Sequence, residues 1–468
     1  MHRAAEMVMK TLKSPSRQSS LSPSRVGVRP TLLRGGRVLD AFLRIDTIDD
    51  VLVWPDGCEV APAFVPHDAT VVDVSDRWVM PGLIDLQVHF REPGQTHKED
   101  LLSGSRAALG GGITSVVVMP NTTPCLDDPA LVRLQHDKPA QHGGIHIFVA
   151  AAATRGLLGR EVTDVAALKA AGAVALTDDG LPVMDDEVMA AVFRACAKHD
   201  LVFMQHAEDL GRTKVDGHHA PMNESLTQFR AGIRGQPSSA ESSMVARDLA
   251  LCERLGARYH VLHTSTASSL DLVRQAKMRA VRVTCEASPH HLLLCDEDVV
   301  RSDVTQPTSA ADLDPNKKMN PPLRSRADRD AIQQGIADGT VDAVATDHAP
   351  HAAFEKARGF VDGPFGVIGL ETAFAALLTF VDGGLITPLR ACELMTSGPA
   401  RVLGRTGRMG TFGGEWGDVV VVDPRHSWDV TNGALLSKSK NSAFLGMRFR
   451  GRVERTYLRG LCAYQRLN

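Results

Sequence analysis

From Gly82 onward the chain alternates short apolar runs with longer amphipathic segments, and it does so eight times. The runs are LIDLQVH (83–89), ITSVVVM (113–119), IHIFVAA (145–151), AVALTD (173–178), LVFMQH (201–206), YHVLH (259–263), VRVTCEA (281–287) and VDAVAT (341–346). Their apolar residues are nearly continuous rather than alternating, as in parallel strands covered on both faces. Helical patterns such as KEDLLSGSRAALGGG, DDEVMAAVFRACAKH and SSMVARDLALCERLG lie between them. Parallel strands need crossovers, and eight strand–helix units predict an α/β fold: a (β/α)8 TIM-type barrel over residues 81–404. A doubly wound open sheet is the competing architecture, but no Gly-x-Gly-x-x-Gly turn follows the first run.

The flanks read differently. Residues 27–80 hold short alternating segments broken by Asp56-Gly57, Pro55, Pro62 and Pro66, and residues 405–468 hold GDVVVVD, MRFRGRV and RTYLRG. Both are β-rich, and we expect them to meet as one small β-sandwich domain built from both chain ends. The stretch 302–323 is a long loop between the last two barrel strands, and ordered loops of that length are often functional.

Composition limits the partners. Lys and Arg total 52 against 55 Asp and Glu, a formal net charge of −3. That balance predicts neither nucleic acid nor anionic membrane as a partner. Eight scattered Cys without a C-x-x-C suit reduced thiols and a cytoplasmic location rather than a disulfide framework. No apolar run reaches membrane-spanning length. Residues 1–26 carry one acid, Glu6, and the Ser/Pro/Arg-rich KSPSRQSSLSPSR. They lack the apolar core of a secretory signal and are read as a disordered tail or a misassigned start, a transit peptide being the alternative.

Polar residues gather where the predicted strands end. His89 closes the first run, Asn121 follows the second, Asp178 and Asp179 end the fourth, His206 the fifth, His263 the sixth and Asp347 the eighth. A barrel builds its active site at this mouth. Any one of these residues has a plainer explanation, a hydrogen-bonded His or an Asp-Asp-Gly turn. All of them falling at the same strand end favours a metal site. Imidazole nitrogen and carboxylate oxygen suit Zn²⁺, with Mn²⁺ or Co²⁺ as alternatives. A metal lowers the pKa of a bound water to about 7, and Asp347 can take the proton and return it to a departing nitrogen.

HFREPGQTHKEDLLSGS (89–105), MPNTTP (119–124), LTDDG (176–180), MNPPLRS (319–325), ATDHAPHAAFEK (345–356) and GPFGVIGLET (363–372) together resemble the dihydroorotases of the hydantoinase-related type, among the metal-dependent amidohydrolases. The resemblance runs from about Gly82 to the C-terminus. It implies reversible hydrolysis of dihydroorotate to N-carbamoyl-aspartate in pyrimidine synthesis, with one or two Zn²⁺ per chain. By the same resemblance His89 and Asp347 hold one metal, His206 and His263 a second, and Asp179 bridges them. Arg91, Asn121 and His351 hold the substrate carboxylate, a task that suits the planar guanidinium fork. Asn320 and the Phe365-Gly366 segment contact the ring, and a loop over 347–360 closes on the substrate. A homodimer is implied, with aspartate transcarbamoylase as a further candidate partner.

Residue 87 departs from the family, which has His there and forms a His-x-His pair; this chain reads Gln87-Val88-His89. A neutral amide oxygen is a weaker zinc ligand than imidazole. The chain is therefore expected to be an active enzyme whose first metal is held less tightly. The alternatives are a catalytically silent scaffold for aspartate transcarbamoylase, or a hydantoinase or allantoinase acting on a related ring. Plainer readings accompany the rest: Arg91 as a salt-bridge partner of Glu92 or Asp100, His290-His291 as non-ligands near the mouth, and His218-His219 as solvated loop residues.

Overall fold

A computed structural model describes residues 28–467, so the tail expected over 1–26 lies outside the described residues. The eight predicted strands form one parallel sheet in sequential order. The first spans Leu83–Val88 and the second Ile113–Val118, followed by His146–Ala152, Ala173–Thr177, Val202–Gln205, Arg258–Val261, Val283–Ala287 and Ala343–Val344. Every residue of the first four is buried, as their apolar composition demands.

The sheet closes between its first and last strands. Val88 and His348 form a parallel bridge, and the His89 amide donates to His348 O at 2.8 Å. Asp85 reinforces the seam: its carboxylate accepts from Thr346 N at 3.0 Å and Thr346 Oγ1 at 2.5 Å. The same contact explains why the run 341–346 gives a strand of only two residues, Ala343–Val344. The Thr346 amide is taken by a side chain instead of a neighbouring strand, and the backbone leaves the ladder there.

Helices cover the barrel and begin where the sequence caps them. Asp185 accepts from the amides of Glu187 and Val188, starting the helix Asp186–His199, whose first turn carries Asp186 and Glu187 and whose last carries Lys198 and His199. Each charge opposes the helix dipole at its own end. Met189, Val192, Phe193 and Cys196 form the buried stripe of this helix, and Phe193 meets Phe203 of the fifth strand edge-on at 5.6 Å.

The two chain ends meet in a second, eight-stranded sheet. Trp78–Pro81 from the N-terminal part pairs antiparallel with Val419–Val422 from the C-terminal part. Leu33, Val38, Val51, Val79, Val419, Val421 and Tyr457 form a buried core belonging to this sheet. Among the described residues no helix is long and apolar enough to cross a membrane.

Candidate active site

Alternation along the fourth strand separates the adjacent carboxylates at its end. Asp178 accepts from the amides of Ala153 and Thr154, both at 2.9 Å, and from the Thr154 hydroxyl. It ties the third and fourth strands together and takes no place in the cavity. Asp179 faces the barrel axis. Its Oδ1 lies 3.8 Å from both His206 Nδ1 and His263 Nε2, and its Oδ2 lies 3.2 Å from His89 Nε2. Burial opposes ionisation of Asp179, but His263 and the charges of His89 and His206 outweigh it, holding the carboxyl well below the usual range.

His206 Nδ1 and His263 Nε2 sit 2.9 Å apart. Ligand atoms of Asp179, His206 and His263 all fall within 4.8 Å of one another, and all three residues are buried. Buried imidazole nitrogens and a carboxylate aimed at one point fit a divalent cation. His89 and Asp347 adjoin this trio, with His89 Nε2 3.1 Å from Asp347 Oδ1.

The far sides of the imidazoles are fixed as well. His89 Nδ1 donates to Asn121 Oδ1 at 2.8 Å, and His206 Nε2 donates to Glu208 Oε2 at 3.0 Å. An acceptor behind each ring settles its tautomer and leaves the other nitrogen free to ligate. Glu208 was not anticipated from sequence; in HAED it reads as one acid among others. Burial raises the cost of its charge, yet the bonds from His206 and His219 keep it ionised.

Gln87 is fully buried beside this set. Its Nε2 donates to Asp179 Oδ1 at 3.2 Å, and its Oε1 has no hydrogen-bond partner. An orphaned buried acceptor costs stability, and it is the atom that a cation beside Asp179 would satisfy once the amide turned over.

The cavity above these residues measures about 210 Å³ and is lined by His89, Arg91, Asn121, Asp179, His206, His263, Asn320, Asp347, His351, Phe365 and Gly366, with His219 as an addition. Arg91 does not pair with Glu92 or Asp100. Glu92 is taken by Lys138, and Asp100 caps the helix Leu101–Gly110 and pairs with Lys438. Among the described residues the Arg91 guanidinium comes within hydrogen-bond distance of neutral groups only, Pro350 O at 3.3 Å and His351 Nε2 at 3.3 Å. Burial lowers its pKa to about 10, so it remains charged. Burial and the Arg91 charge push His351 well below the usual histidine range and keep it neutral. A buried cation facing a cavity without a carboxylate partner among the described residues is suited to an anion.

Three cavity residues also carry backbone strain. Arg91, His263 and Asp347 have φ of 61°, 29° and 48°, values uncommon outside glycine and typical of sites where the fold imposes a side-chain direction.

Phe365 and Gly366 wall the cavity with backbone groups that are already engaged. Phe365 O accepts from His351 Nε2 at 2.8 Å, Gly366 N donates to Lys318 O at 3.0 Å, and Gly366 O accepts from Asn441 Nδ2 at 3.1 Å. A Cβ on Gly366, at φ +127°, would meet Ala349 Cβ at 2.7 Å. Buried Lys356 holds the wall by donating to Pro315 O, Lys318 O and Pro364 O at 2.9, 3.1 and 3.0 Å. Replacing Lys356 with Met removes these three bonds and leaves Pro364 O without another donor, since Lys318 O and Pro315 O keep the amides of Gly366 and Lys318, so we expect a loss of about 1–3 kcal/mol, read as a lowered Tm. An unchanged Tm would remove Lys356 from this role.

The histidine pairs divide. His290 and His291 are buried behind the mouth and do not line the cavity. His219, expected to be solvated, instead lines it, with Nδ1 3.1 Å from Glu208 Oε1. The local cause is a hairpin in which Lys214 pairs with His219 and Val215 with His218 around Asp216-Gly217. Both turn residues have positive φ, 51° and 80°, as a tight Asp-Gly turn requires. That dipeptide was the available signal.

A family model described as dihydro-orotase-like matches residues 76–269. A dihydroorotase from Solibacter usitatus is 42% identical over 434 residues, covering 92% of this chain and 97% of the relative. One from Anaeromyxobacter sp. strain K is 41% identical over 437 residues, covering 92% and 97%. Among solved structures, an L-hydantoinase from Arthrobacter aurescens superposes with a TM-score of 0.79 at 24% identity, over 94% of this chain and 96% of that one. A dihydropyrimidinase from Brevibacillus agri gives 0.76 at 20% identity, over 93% and 95%. At that identity the structural likeness speaks to the fold alone.

Proposed function

This chain belongs to the dihydroorotase family, and from that premise we propose that it hydrolyses dihydroorotate reversibly to N-carbamoyl-aspartate, a step of pyrimidine synthesis. The observation carrying this reading is one cavity that places an unpaired buried guanidinium beside a cluster of imidazole and carboxylate groups. The first suits the carboxylate of the substrate, the second its amide.

Asp179, His206 and His263 would hold a divalent ion, with His89 and Asp347 beside it. Such an ion, Zn²⁺ or alternatively Mn²⁺ or Co²⁺, supplies Lewis acidity to the amide carbonyl and acidifies water. Arg91 and Asn121 orient the ring by its carboxylate, and neutral His351 packs beside Arg91 without adding charge. Asp347 takes the proton lost by the attacking water and returns it to the ring nitrogen as the C–N bond breaks. In reverse, the same carboxylate receives the proton from the attacking nitrogen. Phe365 and Gly366 limit the water that reaches the ring.

Substrate choice tests the reading. Hydantoin-type rings without a carboxylate leave Arg91 unpaired in the cavity, so dihydroorotate is expected to be the better substrate. In Arg91→Ala the KM for dihydroorotate should rise roughly 10–100-fold, the worth of a charged hydrogen bond. An Arg91→Ala enzyme with unchanged KM, or a wild type preferring the neutral ring, would contradict it.

A further inference from the structure

We propose that His219 is a substrate-binding residue, accepting a hydrogen bond from a ring N–H of the cyclic ureide. This rests on the reading of the cavity as a dihydroorotate site. His219 reaches the cavity from the Asp216-Gly217 hairpin, outside the barrel strands that supply the metal-site residues. The imidazole is held from two sides. Its Nδ1 lies against Glu208 Oε1 at 3.1 Å, and its edge meets the Phe365 ring at 5.9 Å between centroids, nearly perpendicular at 71°.

The chemistry follows from the carboxylate. Glu208 can only accept, and its charge 3.1 Å away favours the form of a neutral His219 with the proton on Nδ1, which leaves Nε2 with a lone pair. Glu208 uses Oε2 for His206 and for Asn320 Nδ2, the latter at 2.9 Å, and turns Oε1 toward His219 Nδ1. One buried carboxylate thus sets the direction of a metal-site imidazole, a cavity amide and an acceptor. Arg91 and the Nδ2 of Asn121 offer donors suited to the carboxylate of the substrate, whereas the ring N–H groups need an acceptor. His219 Nε2 provides one.

Kinetics of three variants separate binding from a merely structural role. Gln places an oxygen near the Nε2 position, Asn places one near Nδ1, and Ala has neither. We expect KM for dihydroorotate to rise about 10-fold in His219→Ala and His219→Asn, with kcat within about 2-fold, and His219→Gln to restore most of the affinity. Metal content and Tm should stay at wild-type values in all three. An Ala variant with wild-type KM, or Gln and Ala variants equally impaired, would overturn the assignment while wild-type turnover left the functional reading standing. A wild-type protein that neither binds nor hydrolyses dihydroorotate would instead strike the functional reading, and this assignment would fall with it.

Discussion

Asp347→Asn is expected to lower kcat by about 10²–10⁴-fold, the range of a positioned general acid–base, with little change in KM. Asp347 lies 3.1 Å from His89 Nε2, at the end of the last barrel strand, in a backbone conformation with φ 48° that the fold imposes. Asn preserves the size and the neutral contacts but can neither take the water proton nor return it to nitrogen. Asp179, His206 and His263 remain, so metal content should change far less than turnover. A kcat within 10-fold of wild type would assign the proton transfer to another group, and a parallel loss of metal would make Asp347 chiefly a ligand.

Gln87→His is expected to act in the opposite direction. An imidazole at 87 would replace a neutral amide that now donates to Asp179 Oδ1 and leaves its own oxygen orphaned. Adjusting the groups around metal ligands commonly changes affinity by about 10–100-fold, and a new ligand should gain at least that for the ion beside His89 and Asp347. Competition with a chelator reads the change, and ions counted per chain show whether it falls on a second, weaker site. Identical metal affinity and stoichiometry in the two proteins would place residue 87 outside the coordination sphere.

Legibility of the site followed from geometry that sequence spacing can carry. His89, His206, His263 and Asp347 were visible because each ends an apolar run, and parallel strands put all such ends at one mouth. Choosing Asp179 over Asp178 took the family resemblance, since alternation along a strand cannot be phased from two adjacent identical residues. Glu208 was invisible because its role comes from a ring it stands behind and not from a pattern of its own. His219 reads as solvated because its sequence neighbours are polar, although Asp216-Gly217 between two short pairs marks the hairpin that turns it inward. Lys318 and Lys356 were equally hidden. Lysine is seldom buried, and only the fold shows a loop carbonyl cluster gathering around each: Val361 O and Gly363 O for Lys318, three others for Lys356. The short last strand was unforeseen for a related reason, the capture of the Thr346 amide by Asp85.

The most direct test of an active dihydroorotase site with Gln at position 87 is turnover by the wild-type chain after loading with Zn²⁺, Mn²⁺ or Co²⁺. Loss of dihydroorotate with matching formation of carbamoyl-aspartate is expected, as are the reverse reaction from carbamoyl-aspartate and abolition of both by a chelator. No turnover in either direction with any of the three metals at full loading would contradict that expectation, and would leave a protein that keeps the fold and the cavity of the family without its reaction.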